Sequence, residues 1–199
     1  MQPTYYEDFT EIKNKIWSML DNAIKDRSSA FRIPVFICGN QDDFDGRIVV
    51  LRKSDQSNNL IQYHSDIRSN KIAKLKANKN ATMLFYDKEE KIQVRVKVEC
   101  IVNHENDITK QSWLKTGHMS RKCYLVDNGP GALSETPTSG LKPELDNFEF
   151  TMEQSEVGYK NFTVIQCKIK SMEWLYLAAK GHRRARFDLN NNKNTWLVP

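Results

Sequence analysis

Apolar and polar positions follow two different periods along this chain. Between residues 5 and 27, Phe9, Ile12, Ile16, Met19, Leu20, Ala23 and Ile24 recur at three- and four-residue steps, which predicts an amphipathic helix. Then the period shortens. FRIPVFIC (31–38) reads as a strand, and Pro34 inside it favours an edge or a bulge. GRIVVLR (46–52) is a dense β-branched run that predicts a buried strand. DQSNN (55–59) is a turn cluster and LIQYHS (60–65) the returning strand, so the pair reads as a hairpin. Ser69 caps a short helix with Ile72 and Leu75 on its inner face.

The second half repeats this grammar. ATMLFYD (81–87) is a strand, and KIQVRVKVECIV (91–102) alternates cleanly. Ile92, Val94, Val96 and Val98 share one face; Gln93, Arg95, Lys97 and Glu99 share the other. Residues 105–117 predict a helix, and 120–126 either extend it or form another turn of helix. Residues 127–150 are rich in Pro, Gly, Ser and Thr and read as a long loop. NFTVIQCKIKSMEWLYLA (161–178) reads as one long strand or a pair. The end, GHRRARFDLNNNKNTWLVP, reads as a basic turn, an Asn-rich turn and a short strand. Six or seven strands joined by short turns, without a βαβ rhythm, predict a mainly β protein: a small antiparallel β-barrel with peripheral helices. At 199 residues, with no linker or repeat, one domain over 1–199 is expected.

Charge and composition narrow the function modestly. Thirty basic against 25 acidic residues give a net charge of +5, which suits an anionic small molecule or weak attraction to nucleic acid. Nucleic acid is disfavoured because the polar face of 91–102 carries no aromatic for base stacking. The N-terminus lacks a signal-like apolar stretch and no run is long enough to span a membrane, so a cytoplasmic location is expected. Cys38, Cys100, Cys123 and Cys167 are widely spaced without CxxC and read as free thiols, and the four histidines show no metal-ligand spacing. No dinucleotide fingerprint, phosphate-binding P-loop or nucleophile elbow occurs. A phosphate would therefore be held by side chains.

The hairpin offers them. Arg47 and Arg52 stand five apart on one strand, hence on opposite faces, so one can hold an anion while the other works elsewhere. Arg68, Ser69 and Lys71 open the short helix, whose free N–H groups suit a phosphate. A second basic cluster is HRRAR, His182 to Arg186. Solvated surface charge is the alternative for both.

The order of these pieces is more specific than any one of them. RIVVLR, YHSDIRSNK, ANKNATMLFYD and KIQVRVKVE, closed by EWL…GHRRARF…WLVP, resemble the FMN-binding core of the pyridoxamine 5'-phosphate oxidase family over roughly residues 30–125 and 160–199. The resemblance implies a six-stranded antiparallel split β-barrel with flanking helices that forms a homodimer, with FMN between the subunits. It gives Arg47 to the FMN phosphate, the backbone of Val49, Val50 and Leu51 to the flavin ring, and Arg52 to the region of flavin and substrate. Tyr63 and His64 fall beside the ribityl phosphate, Arg68, Ser69 and Lys71 in the phosphate turn, and Gln93 at the ring edge. Tyr176 (or Trp174) and Arg186 would come from the other subunit. Arg121, His182 and Arg184 stand at substrate positions, although the family's oxidases carry arginine and histidine where this chain has His182 and Arg184. The implied activity is FMN-dependent oxidation of a small amine or alcohol. An NAD(P)H flavin reductase and a non-catalytic FMN-binding protein are the alternatives.

Overall fold

The computed structural model describes residues 4–40, 42–146 and 150–199. A turn of 3-10 helix, Thr4–Glu7, leads into α1 (Phe9–Lys25). Asp8 caps α1 by accepting from the Glu11 N–H at 2.8 Å, and the predicted stripe of Ile12, Ile16, Leu20 and Ala23 is buried. The strands among the described residues number nine. They are β1 (Val35–Asn40), β2 (Asp43–Ile48), β3 (Leu51–Asp55), β4 (Leu60–Asp66), β5 (Asn80–Asp87), β6 (Ile92–His104), β7 (Phe162–Tyr176), β8 (Arg183–Asp188) and β9 (Lys193–Leu197). Between them lie α2 (Asn70–Ala77), α3 (Asp107–Leu114), α4 (His118–Arg121) and α5 (Pro143–Asp146).

All pairings are antiparallel, in the order β2-β1-β5-β6-β7-β4-β3, with β8 and β9 continuing from β7. The path starts on β2 and ends on β3, and only Val49 and Val50 separate those two strands in the chain. One segment thus joins the two ends of the sheet, and the sheet wraps round a single core. Phe36, Tyr63, Phe85, Val94, Val96, Ile165, Met172 and Trp174 fill it. A smaller apolar cluster, Trp113, Tyr124, Phe162 and Val164, lies beneath α3.

Several expectations are corrected. Pro34 is not on an edge: β1 lies between β2 and β5, and Pro34 precedes its first residue and accepts from the Val49 N–H at 3.1 Å. The run 46–52 is neither wholly buried nor one strand: Ile48 is 57 % exposed, Gly46–Ile48 belong to β2 and pair with β1, and only Leu51 and Arg52 belong to β3, which forms the hairpin with β4. The basic turn at 183–186 is instead the start of β8, because Ala185 and Phe187 alternate into the core. The loop at 127–150 is irregular up to Lys142 and then interrupted by α5; residues 147–149 lie outside the described residues.

Outward-facing side chains divide the sheet in two. The register aligns Ile48, Val35, Leu84, Arg95, Glu173 and Arg186 in one row across six strands. Its first half is apolar, and Phe44 (69 % exposed) and Tyr86 (50 %) flank it. The second half is charged: Arg95, Arg184 and Arg186 all grip the Glu173 carboxylate. Burial alone would raise that carboxyl, but the three guanidinium groups bring it down to about 2. No helix among the described residues is long and apolar enough to cross a membrane.

Candidate functional site

Two of the predicted cations meet a hydroxyl where β4 gives way to α2. Ser69 is the N-cap residue of α2, and its side chain makes no cap bond. Its Oγ instead accepts from Lys71 Nζ at 3.0 Å and from Arg47 Nη1 at 3.4 Å. Lys71 also donates to Ser65 Oγ at 2.8 Å. Lys71 is nearly buried, and burial, followed by the charge of Arg47, pushes its ammonium down to about 8. Arg47 Nε is buried and has no hydrogen-bond partner. Asn70, the first residue of α2, lines the pocket beside them.

Two carboxylates complicate this cluster. Asp45 is ion-paired with Arg47 and lines the same pocket. Asp66 takes Arg68: Nε at 3.0 Å and Nη2 at 2.7 Å form a fork. The Arg68 Nη1 donates to the carbonyls of Val126 and Asp127 at 3.2 and 3.0 Å. Arg68 thus borders the pocket but serves mainly to tie the loop to the sheet. Gly129, Pro130, Gly131 and Ala132 form the opposite wall. A Cβ on Gly129 would lie 2.9 Å from the Cβ of Arg68, so this close approach needs glycine.

The other predicted residues separate. Val49 and Leu51 are buried and Val50 half-buried along the junction of β2 and β3. Tyr63 and His64 are neighbours on β4 and face opposite ways. Tyr63 is in the core against Phe36, its hydroxyl buried without a partner, and burial raises its pKa. His64 points toward α3, edge-on to Phe162; burial, then the charge of Arg52, brings it down to about 4. The two cannot flank one phosphate from the same side. Arg52 lines the same outer cavity as His64, away from Arg47, but not by the parity of one strand: the two arginines lie on β2 and β3, either side of Val49 and Val50.

Gln93 is half-buried on the outer face of β6, between Tyr86 and Leu175, and borders neither cavity. Trp174 and Tyr176 point inward, stacked 6.2 Å apart, with Tyr176 against Tyr6. Arg186 is on the outer face with Glu173. Within one chain these residues are not joined to the Ser69 cluster. Arg121 departs furthest from its expected place at a substrate. It is 2 % exposed, pairs with Glu156, donates to Ser155 and to the carbonyls of Thr116 and Trp113, and lies over the Trp113 ring. Its guanidinium ties α3 and α4 to the segment 154–161. His182 Nδ1 accepts from the Ala178 N–H at 3.0 Å, and Arg184 donates to Glu173 at 2.6 Å.

Sequence reasoning missed Asp45, Asp66 and Glu173, and also the loop wall at 129–132. Asp45 and Asp66 lie two residues from Arg47 and Arg68, a spacing at which side chains share one strand face or one turn. That signal was available.

Residues 15–104 match the family described as pyridoxamine 5'-phosphate oxidase, FMN-binding domain. The fold is that of the same class, an antiparallel split barrel with flanking helices. A pyridoxamine 5'-phosphate oxidase-related, FMN binding protein from Nostoc punctiforme PCC 73102 superposes with a TM-score of 0.73 at 13% identity, over 100% of both chains. PhzG from Burkholderia lata 383, in complex with tetrahydrophenazine-1-carboxylic acid, gives 0.72 at 14% identity, over 100% of this chain and 98% of its own. Campylobacter jejuni ChuZ gives 0.56 at 11% identity, over 98% of this chain and 65% of its own. No curated protein sequence matches the chain. The resemblance read from RIVVLR and the motifs after it therefore stands, and at these identities the solved structures speak for the fold alone.

Proposed function

We propose that this chain is an FMN-dependent oxidoreductase, a single domain that acts as a homodimer on a small amine or alcohol. The convergence of Arg47 and Lys71 on Ser69, with Arg47 Nε buried and unpaired, carries this reading. A phosphate dianion would supply the acceptor that Arg47 Nε lacks, and for Arg47 and Lys71 a charged partner in place of the Ser69 hydroxyl. Arg47, Ser69 and Lys71 would hold it, and Arg68 would keep the loop wall in place. The backbone of Val49 to Leu51 would lie along the ring, with Arg52 and His64 on the side away from the phosphate. The unpaired Tyr63 hydroxyl would turn to the phosphate end from the core. Bound FMN supplies the hydride chemistry; the protein supplies binding, orientation and charge.

Gln93 and Arg186 lie outside one chain's cluster, and a second copy is the way to bring them in. The exposed apolar face around Phe44, Ile48 and Tyr86 is the surface we assign to that contact. Tyr176 would take part only if Tyr6 moved off its ring. Free cysteines suit a reducing, cytoplasmic setting.

Arg121, His182 and Arg184 are all engaged within the chain, which argues against a vitamin B6 phosphate as substrate and leaves a flavin reductase using NAD(P)H as the second reading. Anaerobic mixing decides: bleaching of bound flavin by NAD(P)H alone selects the reductase, and no bleaching with any donor selects a non-catalytic FMN-binding protein. The cofactor claim is tested by fluorescence titration with FMN. Arg47→Ala is expected to cost about 1.5–3 kcal/mol of FMN affinity, the worth of a charged hydrogen bond. Unchanged affinity would remove Arg47 from the site.

A further inference from the structure

Two thiols face each other in the core and line neither cavity described above. Cys100 on β6 and Cys167 on β7 are 67 residues apart in the chain, yet the ladder pairs them directly. Their sulfurs lie 3.7 Å apart, within reach of an S–H···S hydrogen bond. Both are buried: Cys100 is 2 % exposed and Cys167 0 %. The other cysteines are placed differently. Cys38 is on β1, which β5 separates from β6, and Cys123 is exposed.

The backbone suits this pair to a covalent bond. The Cys100 N–H donates to the Lys79 carbonyl at 2.8 Å, on the β5 side of its strand. On β7, the Ile169 N–H donates to the Asn59 carbonyl at 2.8 Å, on the β4 side. Cys167, two residues away, shares that parity and pairs with Ile61 on β4. Neither cysteine therefore gives its backbone groups to the other, and the two form a non-hydrogen-bonded pair. In such a pair the Cα atoms stand about 4.5 Å apart and the side chains are closest. A disulfide spans about 4.4–6.8 Å between Cα atoms, so rotation of the side chains, not movement of the strands, closes the gap. Access comes from one side. A groove of about 500 Å³, with Leu75 and Lys79 among its walls, is lined by Cys100 and not by Cys167.

We propose that Cys100 and Cys167 are an oxidative modification site, at which hydrogen peroxide forms a reversible cross-strand disulfide that straps β6 to β7. This goes beyond the flavin reading and does not rest on it. Peroxide enters by the groove and passes one oxygen to the Cys100 sulfur, which becomes a sulfenic acid as water leaves. The Cys167 sulfur then attacks that sulfur. The S–S bond forms, the S–O bond breaks, and the Cys167 proton leaves with the hydroxyl as a second water. Two thiols are oxidised and one peroxide is reduced. Burial, followed by the hydrogen bond and charge of Cys100, raises the Cys167 thiol well above its ordinary range, so the resting pair stays protonated on that side. The bridge closes the chain from Ile101 to Gln166, the stretch that carries α3, α4 and the loop wall at 129–132. It pins the base of that stretch and removes conformations from the unfolded chain.

The test uses the full chain carrying Cys123→Ser, which removes the exposed thiol and leaves the core untouched. The reduced protein is treated with hydrogen peroxide while folded, then unfolded, alkylated and mapped by mass spectrometry without reductant. The expected product is a monomer lighter by two hydrogens, with one peptide pair joined through Cys100 and Cys167 and Cys38 alone alkylated. Its melting temperature should rise by several degrees on bridging and return with dithiothreitol. Alkylation of Cys38, Cys100 and Cys167 alike after treatment, a link through Cys38, or an over-oxidised Cys100 without a link overturns the site. A melting temperature that stays or falls on bridging overturns the strap.

Discussion

Two neighbouring residues on β4 carry opposite penalties, and each yields a measurement. The Tyr63 hydroxyl is buried with no partner in the cofactor-free chain. Tyr63→Phe is therefore expected to raise thermal stability by about 1 kcal/mol, because it deletes an unsatisfied group and keeps the ring. If the hydroxyl serves FMN, as we propose, the same variant loses FMN affinity several-fold; unchanged affinity assigns Tyr63 to the core alone. His64 titrates at about 4 in the folded chain, below its ordinary 6.5. Between those values the unfolded chain binds a proton that the folded chain refuses, so stability falls as pH drops through this window and is flat above it. The loss is on the order of 3 kcal/mol. Urea unfolding at pH 7.5 and 4.5 should show a smaller loss in His64→Gln than in the parent, and equal losses would place the acid sensitivity elsewhere. The five-residue spacing of Arg47 and Arg52 predicts their divergence from the parity of one strand, whereas they diverge because they lie on two strands, with a break at Val49 and Val50 and a register shift at Arg52. The burial of Arg121 was not legible, because its partners Ser155 and Glu156 lie more than thirty residues away.

At the scale of elements, alternation was the readable signal wherever one face of a strand meets the core. β6 shows this: Ile92, Val94, Val96 and Val98 are buried as the pattern predicts. β8 hid the same pattern behind its charge. Three arginines within 183–186 suggest a solvated turn, yet Ala185 and Phe187 are the inward pair of a strand. The run 46–52 erred the other way, since a β-branched stretch predicts burial whether the covering surface is the chain's own or another copy's. The loop after α4 is held by contact rather than by regular structure, and Gly129 is where it touches. G129A puts a methyl 2.9 Å from the Arg68 Cβ. We expect it to cost about 1–3 kcal/mol, as overpacking does, and to speed amide exchange in residues 128–132. Unaltered exchange would show that Arg68 alone holds the loop.

For the whole molecule, the divided outer face sets the expected assembly. An apolar half of the sheet built from Phe44, Ile48, Val35 and Leu84 is suited to a two-fold contact, and the charged half beside it carries Arg186. Ile48→Asp should convert a dimer to a monomer in sedimentation velocity and lower FMN retention with it. A dimer that survives this change uses another face. Mixing Arg47→Ala with Arg186→Ala chains should regain one intact site in two; no recovery would place both residues in the same subunit's site.

The seam at 43–55 also bears on how the molecule is made. The β1–β2 and β3–β4 hairpins are local and can form early, and they hang from each other by Val49 and Val50. Yet they end up at opposite ends of the sheet path, and what lies between includes β7, whose Ile165 pairs with Tyr63 from the far half of the chain. Contacts of such sequence separation form slowly. A nascent chain therefore holds Arg47 and Arg52 on a slack tether; the cavity at Arg52 lacks its Gln166 wall until β7 docks, and the pocket at Arg47 lacks its far wall until residues 129–132 arrive. Both pockets are thus completed by chain that follows α4, so an unfinished molecule presents neither of them whole.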